Sequence, residues 1–392
     1  MKAGKRASKF DQQFDNARLR YFEDRQSELV QTIREFVEIE SPSDNKLAGN
    51  RMGALLATQF EARGGRATIH RTELFADNVQ IDFPGQADKK PVLLLGHFDT
   101  VYPLGTLAGM PCRVDGDHLL GPGVLDMKSG IALMLYAIEA LHSWHGRLPR
   151  PVTVFLVSDE EVGSSSSRVI TEDLARKSGA VLVLEPAAGL RGAVKTARKG
   201  VGEYTLTVKG VAAHAGLDPG KGHSAVIELA RQIAVIAKFN NLKTGISVNP
   251  GVIRGGTRTN VIAAEAVVEI DARIKSAKQA RGLDRKMRSL RPFDKKCKLS
   301  MEGGINRLPM ERNAGVIALY KKAQAIAQQI GWKLDEAAVG GGSDGNFTAG
   351  IGIPTLDGMG GVGEGAHAIH EYIVVSELPR RALLLSEMIE NS

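Results

Sequence analysis

PVTVFLVSDEEVG, residues 151–163, decides how the rest of the chain is read. Its apolar run has the length and residue types of a strand buried on both faces, and it stops at two adjacent carboxylates, Glu160 and Glu161. Neighbouring side chains point in different directions, so a rigid strand end can aim one carboxylate at a cation and the other at a proton. An isolated pair of glutamates after a strand is more often a solvated loop. The flanking sequence has to decide between the two.

Working outward, the same arrangement recurs. Residues 92–95 are apolar throughout and run into Gly96-His97-Phe98-Asp99-Thr100, and residues 181–184 end at Glu185-Pro186. Helical periodicity fills the intervals at 127–144 and 168–177, and strands alternating with helices argue for a mostly parallel sheet. His97, Glu160, Glu161 and Glu185 thus all follow the carboxyl end of a buried strand, the edge where open α/β sheets bind ligands. Upstream, Leu19, Phe22, Leu29, Ile33 and Phe36 give a helix over 14–38, closed by Ser41-Pro42-Ser43. A second helix at 51–63 stops at Gly64-Gly65, and short strands follow at 67–71 and 79–83.

The texture changes near Lys199. Residues 202–210 alternate with period two, and after them come a helix at 224–239, strands at 246–253 and 266–274, a helix at 278–290 and a strand near 298–301. That order is ferredoxin-like. From Glu311 helical spacing resumes (Val316, Leu319, Tyr320, Ala323, Ile326, Ile330), followed by GGGSDG at 340–345, a strand at 353–356 and a helix at 376–389. The expected fold is α/β, a mixed, mostly parallel sheet covered by helices on both faces, with an inserted ferredoxin-like α+β domain. The expected boundaries are 1–198, 199–306 for the insertion, and 307–392.

Composition narrows the class. The 392 residues are 43% hydrophobic and 24% charged, which fits a soluble globular chain of two or three domains rather than a membrane or disordered one. No apolar run approaches a membrane span. The basic stretch MKAGKRASKFDQQFDN at 1–16 lacks the apolar centre of a secretory signal and is expected to be a frayed leader. Cys112 and Cys297 match no zinc or redox spacing, so a reducing, cytoplasmic location is expected. The net charge of +7 favours anionic small molecules, but the basic residues are scattered, and nucleic acid is not an expected partner. GMGGVG at 358–363 has the GxGxxG spacing, yet no helix opens after it and no acidic residue follows about twenty positions on, so it is not read as a dinucleotide site.

The residues that carry chemistry are His97, Asp99, Asp126, Glu160, Glu161, Glu185 and His367. Two imidazoles with several carboxylates and no thiolate suit zinc, cobalt or manganese at a hydrolytic centre. One metal would leave some carboxylates unpaired, whereas two metals about 3.5 to 4 Å apart can share a bridging carboxylate and a bridging water.

GHFDTV at 96–101, GPGVLDMKSG at 121–130, SDEEVGS at 158–164, LEP at 184–186 and GAHAIHEY at 365–372 resemble, in order and spacing, the motifs of the dizinc exopeptidases and deacylases. That superfamily includes glutamate carboxypeptidases of the carboxypeptidase G type, aminoacylases, acetylornithine deacetylase and succinyl-diaminopimelate desuccinylase. The resemblance implies two zinc ions, with cobalt or manganese as substitutes. Asp126 would bridge them, His97 and Glu185 would complete one site, and Glu161 and His367 the other. Glu160 would be the general base, and Asp99 would accept the second ring proton of His97. His367 is preferred over His370 because Glu371-Tyr372 follows it at the family's spacing. The other histidines, His70, His118, His142, His145 and His223, read as surface or structural.

In the inserted domain, GVAAHAG at 210–216 is similar to the family segment whose histidine, here His214, reaches into the partner subunit's site to support an oxyanion. Asn260 and Arg273 match positions that hold a substrate carboxylate, and for Arg273 the bidentate match of guanidinium to carboxylate agrees. A homodimer is implied by the same resemblance. The closing segment 353–381 is more similar to the glutamate carboxypeptidases than to the deacetylases. The expected activity is therefore cleavage of an amide next to a free carboxylate, on a small peptide or N-acyl amino acid, with release of glutamate. An N-acyl amino acid deacylase or dipeptidase is the alternative within the superfamily, and a silent peptide-binding member the alternative outside catalysis.

Overall fold

The computed structural model describes residues 17–392, and the leader read at 1–16 lies outside the described residues. Residues 17–23 are helical, a turn follows at Asp24 and Arg25, and α1 runs over Gln26–Val37, so the continuous helix expected to 38 is broken near its start. α2, Lys46–Glu61, begins earlier than its apolar spacing suggests. The side chain of Asn45 accepts the N–H of Ala48 and caps it.

Six strands form the main sheet: β1 (Arg66–His70), β2 (Asn78–Phe83), β3 (Val92–His97), β6 (Val152–Val157), β7 (Ala180–Val183) and β14 (Thr355–Leu356), in the order β1-β2-β6-β3-β7-β14. β6, β3, β7 and β14 are parallel, while β2 joins β6 antiparallel and β1 closes the edge. Every residue of β3 and β6 is buried. Each such aliphatic side chain contributes about 1.5–3 kcal/mol on leaving water, which holds the strand ends in place. α3 (Ser129–His145) is apolar nearly all round and mostly buried, and it ends at Gly146 in the left-handed conformation. α4 spans Arg168–Lys177, α7 Ala314–Gln329, α8 Gly345–Gly350 and α9 Leu378–Asn391.

Two small sheets complete this unit. β4 (Arg113–Asp115), β5 (His118–Leu120), β15 (Gly363–Glu364) and β16 (Tyr372–Val374) pair in the order β15-β16-β5-β4, and β8 (Val194–Arg198) pairs with β13 (Glu336–Val339). The register Tyr372↔Leu120 ties the segment after His367 to the chain just before Asp126. Strands of two or three residues carry no readable periodicity, which is why the sequence did not announce them.

The chain divides into two compact units. One comprises the residues up to Ala197 with Arg312–Val339 and Ser343–Ser392; the other comprises Arg198–Glu311 and Gly340–Gly342. The second unit runs β9 (Gly200–Lys209), α5 (Ala225–Ala237), β10 (Ser247–Gly255), β11 (Glu265–Ile274), α6 (Ala277–Arg288) and β12 (Lys298–Arg307). Its antiparallel sheet has the order β10-β11-β9-β12, the ferredoxin-like arrangement. Its own core gathers Leu206, Val208, Leu229, Val268, Ile270 and Met287. Among the described residues no helix is long and apolar enough to cross a membrane.

Candidate metal centre

Parallel register brings the first ligands together. His97 lies opposite Val157 and Leu95 opposite Val183, so the ends of β6, β3 and β7 stand side by side, with His97 closing β3 and Glu160-Glu161 and Glu185 just beyond β6 and β7. Asp126 comes from the tight turn before α3, where the Asp126–Met127 peptide is cis. His367 comes from the loop between β15 and β16, in a left-handed backbone (φ 64) that a non-glycine residue holds only when its surroundings impose it.

The donor atoms converge in two groups. Nε2 of His97 lies 3.1 Å from Oδ1 of Asp126 and 3.5 Å from Oε1 of Glu185. Nε2 of His367 lies 3.1 Å from Oε1 of Glu161 and 3.6 Å from Oδ2 of Asp126. Two ligands bound to one tetrahedral metal at about 2.0–2.1 Å stand roughly 3.3 Å apart, so both groups have the spacing of a shared cation. Donor atoms of His97, Asp126 and Glu161, and those of His97, Glu160 and Glu185, also fall within 4.8 Å of one another. Asp126 offers one oxygen to each histidine. The structure thus assembles all five proposed ligands and Glu160.

The electrostatics suit divalent cations. Burial would lower the pKa of His97, but Asp126, Asp99 and Glu185 outweigh it and hold the imidazole well above its usual value. Hydrogen bonds to Asp126 and Glu161 push His367 up to about 10. Burial raises Asp126, yet the two histidines keep it ionised far below the ordinary carboxylate range. Burial keeps Glu161 above that range. Four carboxylates, Asp126, Glu160, Glu161 and Glu185, balance the charge of two divalent ions, and the N/O donor set fits zinc, cobalt or manganese.

Asp99 meets the second ring nitrogen of His97 chiefly through its main chain. Nδ1 of His97 is 3.0 Å from the backbone carbonyl oxygen of Asp99 and 3.5 Å from its carboxylate, so the carbonyl fixes the tautomer and leaves Nε2 for the metal. The carboxylate is occupied elsewhere: it accepts the hydroxyl of Ser43 at 2.7 Å and the N–H groups of Glu160 and Glu161 at 3.2 Å each. It orients the glutamate turn and also faces the imidazole, whose pKa it helps to raise.

The structure also brings in residues to which the sequence assigned no role at the centre. Glu371, fully buried, accepts the N–H groups of Gly123, Leu125 and Asp126 at 3.0, 2.7 and 2.9 Å. Nζ of Lys195 stands 4.0 Å from Oε2 of Glu185. The glycines at 358–361 serve packing: Gly360 donates to the carbonyl of Glu185 at 2.9 Å, and a Cβ there would run into the carbonyl of Leu184. Arg381 of α9, fully buried, donates to the carbonyls of Gly358, Gly360 and Gly192 and so clamps that glycine run.

His214, Asn260 and Arg273 belong to the second unit. Nδ1 of His214 accepts the N–H groups of Gly216 and Leu217, both at 3.1 Å, so its ring proton sits on Nε2, which is available as a donor. Ala215 donates to the carbonyl of Asn260 at 2.9 Å, placing Asn260 beside the histidine loop with its residue exposed. Arg273 is engaged by Asp271 two residues away, Nε at 3.0 Å and Nη2 at 2.8 Å.

Residues 93–391 match the model of peptidase family M20/M25/M40. The chain belongs to that family. It is a metallohydrolase. Carboxypeptidase G2 of Pseudomonas sp. (strain RS-16) is 28% identical over 388 residues, spanning 96% of this chain and 92% of that protein. Succinyl-diaminopimelate desuccinylase of Dechloromonas aromatica is 28% identical over 312 residues, 75% of this chain and 81% of the relative. In fold, the chain matches a dinuclear metal binding peptidase of the M20 family from Bacillus subtilis with a TM-score of 0.70 at 15% identity, covering 94% of this chain and 98% of that one.

Proposed function

We propose that this chain is a two-metal amidohydrolase that cleaves the amide bond beside a free carboxylate and releases glutamate from the carboxyl terminus of a small peptide or N-acyl substrate. The observation that carries the reading is the division of Asp126, Oδ1 toward His97 and Oδ2 toward His367. A carboxylate presented in that way is suited to hold two cations at once. His97 and Glu185 would bind one and Glu161 and His367 the other, with zinc proposed for both. Bound there, the cations supply Lewis-acid polarisation of the scissile carbonyl and a lowered pKa for water.

The chain's own groups do the rest. Glu160 takes a proton from the attacking water and returns it to the departing amine, while Asp99 holds the turn that aims it. His214 would stabilise the developing oxyanion through its Nε2–H, acting on the site of a second subunit. Asn260 and Arg273 would hold the substrate carboxylate, Arg273 after exchanging or sharing its contact with Asp271. The net charge of +7 agrees with an acidic product. A homodimer is proposed through the edge strand β10, where Val252 and Ile253 are exposed beside the exposed Val226 and Ile227 of α5.

The longer span shared with carboxypeptidase G2 favours the carboxypeptidase reading over the N-acyl amino acid deacylase, which the desuccinylase likeness keeps as the second reading. Incubating zinc-loaded protein with N-acyl glutamates, dipeptides, acetylornithine and N-succinyl-diaminopimelate separates them. Turnover of the last two alone would sink the glutamate assignment.

A further inference from the structure

A buried carboxylate usually marks either a ligand or a fault. Glu371 is neither, because its two oxygens meet four donors. Oε1 accepts Leu125 and Asp126 N–H, and Oε2 accepts Gly123 N–H and faces the Tyr102 hydroxyl at 2.6 Å. An ionised carboxylate has about four lone-pair sites, so all are used. Three of the donors are backbone groups of the turn that ends in Asp126, including the N–H of Asp126 itself.

The same residue reaches the other histidine's loop. The N–H of Glu371 donates to the carbonyl of Ala368 at 3.0 Å, and the Tyr102 hydroxyl lies 3.0 Å from that carbonyl as well. Ala368 follows His367, whose backbone is held in the left-handed region. One side chain and its own main chain therefore fasten the turn bearing Asp126 to the loop bearing His367. Charge-assisted hydrogen bonds of this kind are short and directional, and a network with every member satisfied is rigid.

We propose that Glu371, seconded by Tyr102, is the positioning residue that sets Asp126 across the two cation sites, so that the site of His367 and Glu161 fills only while this brace is intact. The proposal rests on the two-metal reading above. Glu371 touches neither substrate nor cation in this scheme, and its effect passes through Asp126 and His367.

The test loads chelator-stripped protein with manganese(II) and reads binding by calorimetry and the bound ions by electron paramagnetic resonance. Wild-type protein is expected to take two ions per chain with an exchange-coupled signal, since one carboxylate links them. Glu371→Gln keeps the shape but turns an NH2 group toward backbone donors. It is expected to weaken the second ion 10- to 100-fold, the range for outer-shell partners, and to leave isolated-ion signals. Tyr102→Phe removes one donor of four and should act in the same direction, a few-fold. Ser376→Ala, which removes the hydroxyl bond to Asp117 at the end of the same small sheet while keeping the backbone one, is expected to lower the melting temperature slightly without altering the coupling.

A folded Glu371→Gln protein that binds two manganese ions with wild-type affinity and a wild-type coupled signal overturns the proposal. If that variant fails to fold, unchanged second-ion affinity and coupling in Tyr102→Phe do the same. Wild-type protein that takes fewer than two ions defeats the two-metal reading before any variant is made, and the brace with it.

Discussion

Nε2 of His97 and Oδ1 of Asp126 lie 3.1 Å apart, the separation of a hydrogen bond and also of two ligands on one cation. Without a cation, protons fill the role: His97 is held well above its usual pKa, and His367 is raised from 6.5 to about 10. A group whose folded pKa is raised contributes its full stability below the unfolded value and loses it as pH climbs through the folded value. Metal-free protein should therefore melt at progressively lower temperature from pH 7 to 10, while metal-loaded protein should not. Adding zinc in weak buffer at pH 7 should release protons, measurable by pH-stat, because the ligands must shed them. Zinc uptake without proton release contradicts this account.

Glu160 is the residue whose loss should separate binding from chemistry. Glu160→Gln is expected to lower kcat by about 10²–10⁴, the usual contribution of a positioned base. Elemental analysis should find the metal content unchanged. A variant with wild-type turnover removes Glu160 from the mechanism.

Arg273 presents its fork to Asp271, so the lysine variant tests shape as well as charge. Arg273→Lys keeps the charge and loses the bidentate geometry. KM for an N-acyl glutamate should rise about tenfold or more, given roughly 1.5–3 kcal/mol for a hydrogen bond to a charged group. An unchanged KM would assign Arg273 to the ion pair alone.

The exposed side chain of Ile253 on an edge strand calls for a charge. Ile253→Glu should convert the proposed dimer into monomer in analytical ultracentrifugation, since a buried unpaired carboxylate costs far more than an exposed one. Wild-type protein sedimenting as a monomer refutes the dimer outright.

Gly130 opens α3 against the strand end that leads to Glu185. A Cβ at this position would overlap the carbonyl oxygen of Leu184, a backbone atom that has no rotamer in which to retreat. Gly130→Ala should cost about 1–3 kcal/mol of stability, the range for overpacking. Thermal or urea unfolding of the metal-free protein gives the number.

The parts of the fold that sequence exposes are those with one dominant cause. β3, β6 and β7 are apolar at nearly every position, and their ends announced His97, Glu160, Glu161 and Glu185. The α2 start was misread because a single capping contact from Asn45 outweighed the apolar spacing that begins at Arg51. β15 and β16 were invisible because two or three residues make no pattern, and with them went the reason for Glu371. Asp99 was recognised as near the metal, but a sequence cannot tell a backbone carbonyl from the carboxylate of the same residue. Lys195 gave no signal, lying on a short strand whose neighbours are buried.

Arg381 grips the glycine run beside Glu185 from the final helix, downstream of every other group at the centre. Its guanidinium joins carbonyls from two loops, Gly192 on one and Gly358 and Gly360 on the other, so the placement of α9 is transmitted directly to the backbone that meets the carbonyl of Glu185.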